Sequence, residues 1–79
     1  MLTQEELLRL LNELVEYQHK KVFDLARQSV PGITVEDLRN PQDFAILMSN
    51  ARFNFEDGIL AGYISARTAV LAEINMLHK

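Results

Sequence analysis

From Leu7 to Ala26 the apolar positions return every three or four residues. On a wheel turned by ~100° per residue, Leu7, Leu11, Leu14, Val15, Val22, Leu25 and Ala26 fall on one stripe. Leu10 and Tyr17 widen it on one side, while Arg9, Asn12, Glu13, Glu16, Lys20, Asp24 and Arg27 fill the opposite face. This period predicts an amphipathic helix over 3–28, whose apolar arc spans roughly half the circumference, more than a minimal two-helix seam requires. Thr3-Gln4-Glu5-Glu6 has capping-box form, with a threonine oxygen for the Glu6 amide and a glutamate that reaches back. Glu5 and Glu6 near the start, and Lys20, Lys21 and Arg27 near the end, follow the helix dipole. The i,i+4 pairs Glu5/Arg9 and Glu16/Lys20 have the favourable order.

Val30-Pro31-Gly32 ends that helix, because proline cannot continue it and glycine readily takes positive φ. A short-helix segment over 34–49 follows. Thr34 leads one turn to about Arg39, and Asn40-Pro41-Gln42-Asp43 restarts the chain with a cap, a proline at the first helical position and an early acid. Phe44, Leu47 and Met48 have helical spacing and are expected to point inward. Ser49-Asn50-Ala51-Arg52 marks the next break, and a second long helix is expected over 54–78, starting at Asn54 with Glu56 and Asp57 in its first turn and His78 and Lys79 at its end.

The second long helix separates side chains by size rather than polarity. Leu60, Tyr63, Ile64, Val70, Leu71, Ile74 and Leu77 make a large apolar face, with Gly58, Ala61, Gly62, Ser65, Ala69 and Ala72 on the reverse. Between Gly58 and Leu77 the charged residues are Arg67 and Glu73. A helix without a charged face is usually buried all round. Two interior glycines cost ~1 kcal/mol each relative to alanine, a cost best understood where another backbone approaches closely.

The expected fold is therefore all-α, a single domain over 1–79 in which two long antiparallel helices are joined by the short-helix segment. One hairpin cannot cover both faces of the second long helix, so a homodimer forming a four-helix-bundle-like assembly is expected. Its interface would use Gly58, Ala61, Gly62, Ser65, Ala69 and Ala72, with Leu10 and Tyr17 from the wide arc. A monomer whose short helix covers the small-residue face, or a different protein as partner, satisfies the same pattern, as does a swapped pairing of the long helices.

Size and composition strengthen the case for a partner. At 79 residues the chain hides only roughly 60–65% of its unfolded surface. Small domains make up such a shortfall with disulfides, metals or oligomerisation. Absence of cysteine removes disulfides, thiol chemistry and cysteine zinc sites, and two histidines make an ordinary zinc site improbable. The net charge of −3, with no basic stripe, argues against nucleic-acid binding. Gly58-Ile59-Leu60-Ala61-Gly62 has the GxxxG form, but Arg67 and Glu73 oppose insertion into a bilayer. An acidic rather than basic amino-terminal stretch is unlike a signal peptide, so no membrane role and a cytoplasmic location are expected.

Candidate chemistry is sparse. Glu16 and His19 have the E-x-x-H spacing of di-iron bundles, a candidate metal pair, yet Glu16 lies opposite the apolar stripe and no bridging carboxylate faces it. Arg67 sits on the large apolar face one turn from Tyr63, and together they form a candidate anion site or a packing contact. Phe53-Asn54-Phe55-Glu56-Asp57-Gly58 lacks the alternating oxygens of a calcium loop and reads as a cap between two anchoring phenylalanines. No phosphate loop or nucleophile–base set is present, so no catalytic residue and no cofactor is assigned. The expected role is a non-enzymatic helical protein acting through self-association and protein–protein interaction. The alternative is a dimeric bundle holding a small anion or metal between its helices, with an enzymatic activity left open.

Overall fold

The computed structural model describes residues 1–77, so the expected helix end at His78 and Lys79 lies outside the described residues. Those residues are helical, with α1 over Gln4–Ser29, a 3-10 turn over Asp37–Arg39, another over Pro41–Asp43, α2 over Ala45–Met48 and α3 over Ala51–Leu77. No strand occurs among them. At ~1.5 Å per residue the two long helices each span ~40 Å, which accounts for the 45 Å long axis of the molecule.

α1 begins as its first residues dictate. Thr3 Oγ1 accepts from the Glu6 amide at 3.0 Å, and Glu6 Oε1 accepts from the Thr3 amide at 3.3 Å, a complete capping box. Charge pairing differs from expectation. The exposed contacts are Arg9 with Glu13 at 3.8 Å and Lys20 with Asp24 at 3.7 Å, rather than Glu5/Arg9 and Glu16/Lys20. Such solvent-screened pairs contribute little, and small rotamer changes exchange one partner for another. At the far end Val30 leaves the helix with its amide still donating to the Ala26 carbonyl at 2.8 Å. Gly32 does not have positive φ, so the helix ends through the non-helical Val30 and Pro31 rather than through a left-handed glycine.

The connector is built from reciprocal caps. Thr34 and Asp37 exchange backbone-to-side-chain hydrogen bonds at 3.0 and 3.1 Å, shaping the first turn. Pro41 opens the second, as its missing N–H permits. α2 is a single turn over Ala45–Met48, closed by Asn54 Nδ2, which donates to the Met48 carbonyl at 2.9 Å. Of the three side chains expected to point inward, Leu47 is fully buried and Phe44 packs on the core, but Met48 is exposed. One helical turn can direct only part of its circumference inward, and the fully buried Leu47 takes that place.

α3 starts at Ala51, one turn before the expected Asn54. The Asn50 side chain caps it, with Oδ1 accepting from the Phe53 amide at 2.9 Å. This earlier start leaves Glu56 beyond the first turn, and the Glu56 side chain is buried on the face that meets α1. It also leaves only one anchoring phenylalanine: Phe53 is buried, whereas Phe55 is 65% exposed.

The long helices run antiparallel. Asn12 meets Arg67, Gln18 meets Glu56 and Ser29 meets Asn50, so rising numbers on α1 oppose falling numbers on α3. The seam uses Val15, Gln18, Val22 and Leu25 from α1 and Phe53, Glu56 and Leu60 from α3. These alternate by three and four residues, the spacing of helices packed at a shallow angle. Ile33 and Leu47 close the seam from the connector, with Phe23, Val30, Leu38, Phe44 and Tyr63 around them. Each fully buried Val, Leu or Phe contributes roughly 1.5–3 kcal/mol, so this end of the hairpin holds the fold together.

Candidate functional site

Toward the other end of the hairpin, the seam has no connector over it. Leu7, Leu8, Leu11, Val70 and Ile74 are half-buried, and Ile64, Leu71, Met76 and Leu77 are exposed. The flank of α1 carries Leu10 at 40%, Leu14 at 45% and Tyr17 at 70% exposure. Leu14, expected on the inner stripe, therefore lies outside the seam. The cause is angular: one facing helix covers about a third of a circumference, and the apolar arc of α1 is wider than that.

The small-residue face is equally uncovered. Gly58, Ala61, Gly62, Ser65, Ala69 and Ala72 are all exposed, so the short helix does not cover them. A Cβ built on Gly58 or Gly62 would meet nothing within 4 Å. Among the described residues, no other backbone approaches either glycine closely.

A polar cluster interrupts the seam. Gln18 Nε2 donates to the Glu56 carbonyl at 2.9 Å and to Glu56 Oε2 at 3.2 Å, and Lys21 Nζ lies 3.1 Å from the same Oε2. The Gln18 hydrogen bond and then Lys21 hold the Glu56 carboxyl below its ordinary pKa, against the opposing effect of burial. Gln18 was absent from the sequence-derived stripe although it falls between Val15 and Val22 on it. A polar residue at a seam position is the signal that its partner helix supplies an acceptor.

The candidate metal pair, Glu16 and His19, lies one turn apart on α1. Glu16 is exposed, while His19 lines a cleft of about 170 Å³ with Val22, Val35, Leu38, Arg39, Asp57 and Leu60. No group of three or more His, Cys, Asp or Glu side chains is placed to hold a metal among the described residues. Arg67 is half-exposed in the seam and donates through Nη1 to Asn12 Oδ1 at 3.1 Å. A neutral amide thus meets the guanidinium. The ring-to-guanidinium contact in the structure joins Arg27 to Phe23 at 5.7 Å.

A second cleft, about 270 Å³, opens between Tyr17, Lys20, Lys21, Asp24, Leu25, Gln28 and Arg52. Its three cations were not singled out from sequence, because Arg52 joins the lysines only when the helices fold together. Asp24 pairs with Lys20 and Glu56 with Lys21, leaving the cleft weakly positive. It adjoins the exposed flank of α1 through Tyr17, so the apolar surface and the basic cleft are continuous.

In class, the protein is a helical hairpin closed at one end by its connector. No helix among the described residues is long and apolar enough to cross a membrane. Compared with family models, characterised proteins and solved structures, the chain matches none.

Proposed function

We propose that this protein works by association, most simply with a second copy of itself, its uncovered hairpin end completing a four-helix bundle. The observation that carries this reading is the exposure of Leu10, Leu14 and Tyr17 beside a half-buried leucine seam. Contiguous apolar surface of this kind marks an interaction site, whereas scattered single apolar residues do not. The small face of α3 supports the same reading, since Gly62 leaves room for another backbone that the chain itself does not supply. No comparable grouping of reactive side chains favours catalysis among the described residues.

Light scattering after size-exclusion chromatography, over a dilution series, tests the proposal. A mass near twice 9.1 kDa that falls on dilution is the expected result. A single-chain mass at every concentration rejects self-association and leaves the exposed flank for a different protein.

A further inference from the structure

Resting on the association reading, the self-complementary order of residues along one flank of α1 specifies how two copies meet. Leu7, Leu10, Leu14 and Tyr17 alternate by three and four residues, parallel to the seam but displaced to one side of it. Such a stripe is the mark of a second coiled-coil seam on the same helix. Glu6, Glu13 and Lys20 border it at seven-residue steps, acidic toward the amino end and basic toward the carboxyl end. The end charges of that order, Glu6 and Lys20, meet each other only when the second helix runs the opposite way.

We propose that two hairpins pair through α1, antiparallel, about a two-fold axis passing between Leu10 and Leu14. Leu10 then faces the partner's Leu14, Leu7 faces the partner's Tyr17, and Glu6 lies beside the partner's Lys20. All four apolar layers are filled, and two Glu6–Lys20 attractions at the ends outweigh the single like-charge approach of the two Glu13 side chains at the axis. In a parallel pairing the Glu6, Glu13 and Lys20 rows of the two copies lie on opposite sides of the interface, so neither Glu6–Lys20 attraction forms.

α3 leaves room for this arrangement. Arg52 and Tyr17 line one cleft, so they share a side of the hairpin. Ile59 and Ala66 follow Arg52 at seven-residue steps on the same flank of α3, and Gly62 lies beside them. The incoming α1 therefore meets leucines on one side and small side chains on the other. The open space at Gly62 is where its backbone comes closest.

The chain has no cysteine, which makes single-cysteine cross-linking decisive. Glu13→Cys places a thiol next to the proposed axis, and Ser65→Cys places one at the middle of the small-residue face of α3, which a pairing through that face instead would bring together; both positions are exposed. With a short bis-maleimide, Glu13→Cys is expected to give mostly covalent dimer and Ser65→Cys roughly tenfold less. In addition, Lys20→Glu turns two attractive contacts per dimer repulsive, and is expected to raise the dimer Kd roughly tenfold at low salt. A dimer by light scattering that cross-links through Ser65→Cys and not Glu13→Cys overturns the α1 pairing while leaving association intact. A monomer at all concentrations, with neither variant cross-linked, overturns both.

Discussion

The two ends of the hairpin have similar helices but unequal cover. Around Val22, Ala26, Leu47 and Phe53, the connector adds Ile33 and Leu47 to a two-helix seam, and these side chains are buried. Around Leu7, Leu10, Val70 and Leu71 there are only two helices, and no apolar side chain is buried there among the described residues. Both ends are rich in leucine, isoleucine and valine, so hydrophobicity does not distinguish them. A third element decides which apolar surface becomes core and which stays available, because two helices touch along a line and bury only their facing stripes.

The sharpest test of this contrast is Phe53→Ala against Tyr17→Ala. Removing the buried Phe53 ring is expected to cost about 3–5 kcal/mol in urea unfolding followed by circular dichroism. Tyr17→Ala, at a low concentration that favours monomer, is expected to change stability by no more than about 0.5 kcal/mol. Comparable losses would remove the distinction between the ends.

Leu14→Lys reports on the open end alone. It puts two charges into a two-fold interface and is expected to weaken dimerisation by roughly a hundredfold, about 2.7 kcal/mol. Its unfolding under dilute conditions should stay close to that of the parent chain. Sedimentation equilibrium measures the first effect and a thermal melt the second.

Gly62→Ala is expected to act in opposite directions on the two quantities. With open space around it, the added methyl should stabilise the dilute chain by about 0.4–1 kcal/mol through lower unfolded-state entropy and better helix propensity. Close approach by another backbone would make the same methyl weaken association. Stabilisation with unchanged association would place the partner elsewhere. At the amino end of α1, Thr3→Ala removes the capping box and is expected to lower stability by roughly 0.5–1 kcal/mol.

The smallest effect concerns Glu56, and its sign follows from its lowered folded-state pKa. The stabilisation it provides is present above the unfolded-state value and is lost as pH falls through the folded-state value. Glu56→Gln should melt lower than the parent chain at pH ~7, with the gap closing as the pH falls below the unfolded-state value and through the lowered folded-state one. A gap independent of pH would show that the carboxylate's charge does not matter to the seam.

Much of the architecture is legible in local residue order. Thr3 with Glu6 and Thr34 with Asp37 shape their turns through contacts spanning three residues, which sequence spacing expresses directly; Pro41 opens its turn as expected, but the Asn40 side chain does not cap it. The three- and four-residue period of α1, the break at Pro31 and two helices of matched length follow from the same local rules. The start of α3 was misplaced because Asn50 and Asn54 are both competent caps. Asn54 instead donates to the end of α2, a choice made by the connector's path.

What only the tertiary structure decided is which part of a wide apolar arc turns inward. Sequence offered Leu14 and omitted Gln18, whereas folding buries Gln18 and leaves Leu14 exposed. The helical period fixes relative angles around α1, but the register against α3 sets the absolute one. At that register Glu56 supplies the oxygen atoms that Gln18 needs, and burial of a polar amide becomes possible because it is hydrogen-bonded. The same rotation leaves Glu16 exposed, sets Arg67 against Asn12 and turns Leu10, Leu14 and Tyr17 toward solvent. Periodicity determined the helices; the geometry of their contact determined the surface that remains.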